Sequence, residues 1–154
     1  MADNTMTSNA SNLLRRVDDY IQNFSPPDDA LLHALKTSQE NGLPTINVSP
    51  NEGRLLYMLA KMSRAGKILE IGTLGGFSTI NLARALPPDG KLISLEYSPK
   101  HAEVARGNID YAGLSERVEV RVGAGLDLMP QLVANGEGPF DLIFIDADKI
   151  NYPG

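Results

Sequence analysis

Between Lys67 and Ile80 an apolar run, Ile68-Leu69-Glu70-Ile71, passes into Gly72-Thr73-Leu74-Gly75-Gly76 and then into Phe77-Ser78-Thr79-Ile80. That is the order of a buried strand, a glycine-rich turn and a helix, and few folds accommodate it. A second apolar strand, Leu92-Ile93-Ser94-Leu95, follows and ends on the acid Glu96. Three glycines allow backbone to approach a ligand closely, and an acid at the end of the next strand is placed to meet ribose hydroxyls. The pair of strands therefore reads as a cradle for a nucleoside-containing cofactor.

The rhythm continues beyond this pair. Strands are predicted near 67–72, 91–96, 118–122 and 140–145, with helices near 76–86, 99–112 and 125–134 between them. The strands are short and apolar on both faces, as in Leu142-Ile143-Phe144-Ile145, the pattern of a parallel sheet covered on two sides. Pro87-Pro88-Asp89-Gly90 and Asn135-Gly136-Glu137-Gly138-Pro139 are turns, and Ser98-Pro99 opens the helix carrying Ala102, Ala105, Ile109 and Ala112.

Before Lys67 the chain reads as helical. Residues 1–8 are expected to be a disordered tail, and 9–66 a region of three helices. Leu13, Leu14, Val17 and Ile21 recur at helical spacing. Ser25-Pro26-Pro27-Asp28 opens a second helix with Leu31, Leu32 and Leu35 as its apolar face, closed by Asn41-Gly42. Ser49-Pro50-Asn51-Glu52 is a capping box, followed by Leu55, Leu56, Leu59 and Met62, and Gly66 closes that helix. Residues 67–154 then form the α/β part.

Composition excludes several classes. With 14 Lys and Arg against 19 Asp and Glu, the net charge of -5 argues against a nucleic-acid surface, which needs a basic excess. The chain has no cysteine, hence neither disulfides nor a thiolate metal site. Its first residues lack the basic-then-apolar order of a secretory signal, and no apolar run approaches the roughly 18 residues of a membrane span. These features read as a cytoplasmic protein with no membrane partner.

The glycine turn alone could be a tight connection without a ligand, and a terminal acid such as Glu96 could merely be solvated. Two details favour a ligand. The pattern Glu-x-Gly-x-x-Gly-Gly departs from the dinucleotide spacing, which disfavours a nicotinamide oxidoreductase and leaves less need to cradle a pyrophosphate. Glu96 stands 24 residues after Gly72, on the next strand. A ribose-bearing ligand without phosphates fits best. A third segment, Phe140 to Tyr152, delivers Asp146 to the carboxyl edge of the sheet, with Asp148 and Lys149 behind it. Oxygen ligands there suit a hard cation such as Mg²⁺, and a lysine beside a metal and a cofactor loses its proton more readily. A surface turn with locally paired charges is the plainer alternative. His33 and His101 are read as structural.

These segments resemble the cation-dependent O-methyltransferases, the group containing catechol and caffeoyl-CoA O-methyltransferases, over about residues 40–152. Glu70 to Ser78 is similar to that family's first cofactor motif, Ile93 to Glu96 to its second, and Phe144 to Tyr152 to its metal-binding and catalytic segment. The resemblance implies a Rossmann-like class I methyltransferase fold with parallel strand order 3-2-1-4. It implies S-adenosylmethionine as cofactor, held by Val48, Glu70, Gly72, Gly75, Gly76, Ser78, Glu96, Tyr97, Ala124, Gly125 and Asp146. In that scheme Ser78 meets the cofactor's carboxylate, Glu96 its ribose, and Tyr97 and the Gly123-Ala124-Gly125 turn its adenine. Asp146 binds a divalent cation, Mg²⁺ by preference, and Lys149 is the general base. The acceptor is a small catechol-like aromatic hydroxyl, methylated by direct displacement, and a homodimer is possible.

The family's members also run further than Gly154. The resemblance therefore implies an incomplete sheet lacking its last three strands, and a metal site lacking the Asp-Asn pair that follows the first Asp. A non-catalytic remnant that binds cofactor or a partner without turnover is the alternative expectation.

Overall fold

The structure, a computed structural model, describes residues 4–147. Asp148 and Lys149 lie outside the described residues. Ten elements follow one another: α1 (Asn4–Phe24), α2 (Asp29–Glu40), α3 (Pro50–Met62), β1 (Lys67–Ile71), α4 (Phe77–Ala85), β2 (Lys91–Glu96), α5 (Pro99–Tyr111), β3 (Val118–Val122), α6 (Gly125–Ala134) and β4 (Leu142–Ile145). The four strands form one parallel sheet in the order β3-β2-β1-β4, as the resemblance implied.

Register follows from backbone pairing and one side chain. Glu70 lies opposite Ser94 of β2 and Phe144 of β4. At the other end of β1, Asp141 Oδ2 accepts from the Gly66 and Lys67 amides, both at 2.8 Å, and pins the start of β4 to the start of β1.

Side chains alternate across the sheet. Ile68, Leu92 and Val120 point into the main core with Phe77, Ile80, Leu82, Ala102, Ala105 and Ile109 of α4 and α5. Leu69, Ile71, Ile93 and Leu95 point to the other face, where Leu132 of α6 joins them. That second face is covered less completely than the apolar strands suggest. Ile143 of β4, at the sheet's edge, is 55% exposed.

The N-terminal helices are helices, with two differences from the sequence expectation. α1 begins at Asn4, inside the segment expected to be disordered. The packing face of α3 is also rotated. Gly53 and Ala60 are buried against α4, with Leu56 and Tyr57 beside them, whereas Leu55, Leu59 and Met62 are exposed, Met62 by 78%. Close approach explains this, because a Cβ at Gly53 would sit 2.8 Å from Asn81 Nδ2. Small residues set the contact, and the larger ones turn outward. The capping box at Ser49 is present, with Glu52 Oε2 accepting from the Ser49 amide at 2.6 Å. α2 is capped by Asp28, whose Oδ1 accepts from the Leu31 amide at 3.1 Å.

Candidate active site

The carboxyl ends of β1, β2 and β4 open into a cavity of about 620 Å³. Its floor is the glycine turn, which the chain achieves by two glycine backbones with positive φ, Gly72 at 97° and Gly76 at 84°. A Cβ at Gly72 would overlap the Asp146 carbonyl oxygen, so only glycine lets β1 and β4 leave the sheet this close together. Leu74 between them also has positive φ, 50°, uncommon for a residue with a side chain.

Glu96 holds that conformation. Its Oε2 accepts from the Thr73 amide at 3.0 Å and from the Leu74 amide at 2.8 Å. Its Oε1 accepts from the Ser98 amide at 2.9 Å, and His101 Nδ1 lies 3.5 Å away. At 7% exposure it is no solvated strand-end acid. One carboxylate ties the glycine turn, the end of β2 and the start of α5 together, and the residue lines the cavity.

Of the residues singled out from sequence, Val48, Gly72, Gly75, Ser78, Glu96, Tyr97, Gly125 and Asp146 line the cavity. Tyr97 stands at the rim, 79% exposed. Three others do not reach its wall. Gly76 packs its backbone against Ala105 of α5, where a Cβ would lie 3.5 Å away, and Ala124 precedes α6 as its cap. Glu70 is wholly buried, on the opposite face of β1 from Ile71. Conversely, His101, read from sequence as structural, lines the cavity. The Ser98 cap starts α5 so that its first turn faces the ligand space, a placement that helical spacing alone does not reveal. His33 does have a structural contact, stacked on Tyr111 with ring centroids 3.8 Å apart.

Beneath the turn lies a polar cluster that hydrophobic periodicity does not show. Glu70 accepts from three hydroxyls: Ser78 Oγ at 2.6 Å, Thr79 Oγ1 at 2.5 Å and Ser94 Oγ at 2.7 Å. Burial lifts its pKa from 4.5 to about 7; the hydroxyl bonds oppose the lift and the charge of Asp146 adds to it. Ser78 thus has one face on Glu70 and the other on the cavity.

The donor set can be tested against the groups the resemblance implies. Among the described residues lining the cavity there is no lysine or arginine; the titratable ones are Glu96, Tyr97, His101 and Asp146. Such walls suit a cationic nucleoside and disfavour a pyrophosphate. Apolar Val48, Ile71, Leu95 and Phe77 supply the surface a ring needs. A nucleoside sulfonium fits. A metal fits less well: among the described residues no group of three or more His, Cys, Asp or Glu is placed to hold one, and Asp146 is a single carboxylate at the β4 end. Among the described residues no helix is long and apolar enough to cross a membrane.

A family profile described as O-methyltransferase matches residues 22–154. Catechol O-methyltransferase of Niastella koreensis is 55% identical over 141 residues, covering 91% of this chain and 64% of the relative. Catechol O-methyltransferase of Mycobacterium tuberculosis is 53% identical over 136 residues, covering 88% of this chain and 60% of the relative. Among solved structures, the O-methyltransferase from Bacillus cereus in complex with SAH superposes with a TM-score of 0.86 at 47% identity, covering 90% of this chain and 63% of that one. The chain thus spans about three fifths of the length of the relatives it matches. With the strand order, the glycine turn latched by an acid and a profile matched across most of its length, this chain belongs to the O-methyltransferase family.

Proposed function

We propose that this chain binds S-adenosylmethionine and transfers its methyl group to a hydroxyl of a small, catechol-like aromatic compound. One observation carries the reading: a cavity at the strand ends whose acid, Glu96, is backed by a glycine turn and which no lysine or arginine lines among the described residues. The cofactor, when bound, supplies an electrophilic methyl on a sulfonium. The chain's residues do the rest by placement. Glu96 receives the ribose hydroxyls, and Tyr97 and Gly125 flank the ring. Ser78, in the first turn of α4, faces the cofactor's carboxylate, where the positive end of the helix favours an anion. Val48, Gly72 and Gly75 bound the methionine part. Rate comes mainly from holding oxygen, methyl and sulfur in line.

In this reading Asp146 and Lys149 are the catalytic pair. Asp146 would supply one carboxylate to a divalent cation, and Lys149, which lies outside the described residues, would take the acceptor's proton. The relatives named as catechol O-methyltransferases support the acceptor class. The enzyme works in the cytoplasm without nucleic acid or membrane. It pairs as a homodimer.

The test is calorimetry with S-adenosylhomocysteine, followed by methyl transfer from S-adenosylmethionine to catechol with and without a chelator. Binding with chelator-sensitive transfer is expected. Absence of nucleoside binding would overturn the proposal, and binding without transfer would leave a cofactor-binding chain without turnover.

A further inference from the structure

Glu70 has no place in the chemistry above, yet it is the most deeply buried acid near the site. Its surroundings account for every hydrogen. Thr73 Oγ1 and Ser94 Oγ lie 2.5 Å apart; with Ser94 donating to Glu70 Oε2, Thr73 must donate to Ser94. Thr79 donates to Oε2 and Ser78 to Oε1. An ionised Glu70 is therefore satisfied only if Ser78 commits its single hydroxyl hydrogen inward. Ser78 then offers the cavity lone pairs alone, which repel a carboxylate. A protonated Glu70 reverses the bond: Oε1 donates to Ser78 Oγ over the same 2.6 Å, and the hydrogen of Ser78 is free to turn toward the cavity.

We propose that Glu70 is a positioning residue which takes up one proton when a carboxylate-bearing ligand binds, so that Ser78 can donate to that ligand. This deepens the cofactor reading and rests on it. The balance is one proton from solvent onto Glu70 Oε1 and a rotation of the Ser78 hydroxyl; no other bond forms or breaks. The raised affinity of Glu70 for protons puts this exchange near neutral pH. Titratable groups on the elements around it are Asp146 after β4, Glu96 at the end of β2 and His101 of α5 behind it. α4 brings hydroxyls to Glu70, its Arg84 being paired with Asp28 at 2.9 Å.

The test compares S-adenosylhomocysteine with 5′-methylthioadenosine, which has the same nucleoside and no amino-carboxylate. Titration calorimetry at pH 7.5 in two buffers of different ionisation enthalpy counts protons directly. Uptake of a substantial fraction of one proton with S-adenosylhomocysteine and none with methylthioadenosine is expected. Its affinity should fall by up to about tenfold per pH unit above neutrality, while that of methylthioadenosine stays flat. In Glu70→Gln, uptake and pH slope should both vanish. If that variant does not fold, the two-buffer measurement on the unaltered chain decides alone. S-adenosylhomocysteine binding with no uptake, or with uptake equal to that of methylthioadenosine, overturns the role of Glu70 and leaves the cofactor reading standing. No binding at any pH overturns both.

Discussion

Asn108 of α5 donates from Nδ2 to the Gly75 carbonyl at 2.8 Å while its Oδ1 accepts from Thr37 of α2 at 2.6 Å. One buried amide thus joins two helices to the glycine turn, which Glu96 also holds through the Thr73 and Leu74 amides. Asn108→Ala would strand a carbonyl and a hydroxyl together, at a cost of about 1–3 kcal/mol each at most. Urea denaturation should show a loss in that range, and weaker S-adenosylhomocysteine binding should accompany it. Binding unchanged in a destabilised variant would show that the turn does not depend on this clamp.

Glu96 holds the turn and, in the proposed function, receives the ribose as well. Glu96→Ala removes an ionised acceptor from the Thr73, Leu74 and Ser98 amides. Hydrogen bonds to charged groups contribute about 1.5–3 kcal/mol, so S-adenosylhomocysteine affinity should drop by roughly ten- to hundredfold or more. Glu96→Gln should also weaken it, because its NH₂ confronts backbone donors. Calorimetric dissociation constants within threefold of the unaltered chain for both variants would remove Glu96 from the ribose role.

Gly72 cannot be replaced without moving β4. Gly72→Ala combines a φ of 97° with overlap on the Asp146 carbonyl, backbone that cannot yield cheaply. A loss of at least about 2 kcal/mol is expected in chemical denaturation. Gly136→Ala offers a control, with positive φ but open space around it, and should cost less.

Stability should depend on pH through two carboxylates of opposite sign. The pKa of Glu70 is raised in the fold, from 4.5 to about 7, so the unfolded chain holds fewer protons between those values. Its contribution is complete below about pH 4.5 and is lost as pH rises to about 7, on the order of 3 kcal/mol at full burial. Glu137 is the reverse: two bonds from Arg121, at 2.9 and 2.7 Å, hold it down at about 2. Its contribution is present above pH 4.5 and lost as pH falls toward 2. Denaturation midpoints for Glu70→Gln should lack the fall between pH 4.5 and 7 that the unaltered chain shows, and an identical fall in both would refute the assignment.

Among the described residues, the apolar strand β4 stands at the edge of the four-stranded sheet, with Ile143 half exposed. Exposed, apolar edge strands pair with one another. Sedimentation should show concentration-dependent self-association that Ile143→Lys reduces, whereas a concentration-independent monomer would contradict it.

The alternation of apolar strands and helices from Lys67 onward was enough to order the sheet once the resemblance was added, because strand periodicity and glycine turns are local properties of the chain. The same holds for the capping box at Ser49 and for Glu96, whose spacing from Gly72 places it on the adjoining strand end. The packing face of α3 was not legible: Leu55, Leu59 and Met62 looked like the inner face, and only the close approach of Gly53 to Asn81 turned them out. Nor was the position of His101, which depends on where Ser98 starts α5 relative to a cavity built by three other elements. Glu70 shows the division most clearly. Its sequence neighbours announce an acid in a strand; that it sits beneath the glycine turn rather than in the cavity wall follows from the side of the sheet it occupies. Sequence by itself determined which backbone segments could be strand, turn or helix, since those preferences act over a few residues. Tertiary structure alone decided which polar groups share a hydrogen, because Ser78, Thr79 and Ser94 meet Glu70 only after β1, α4 and β2 have packed and excluded water.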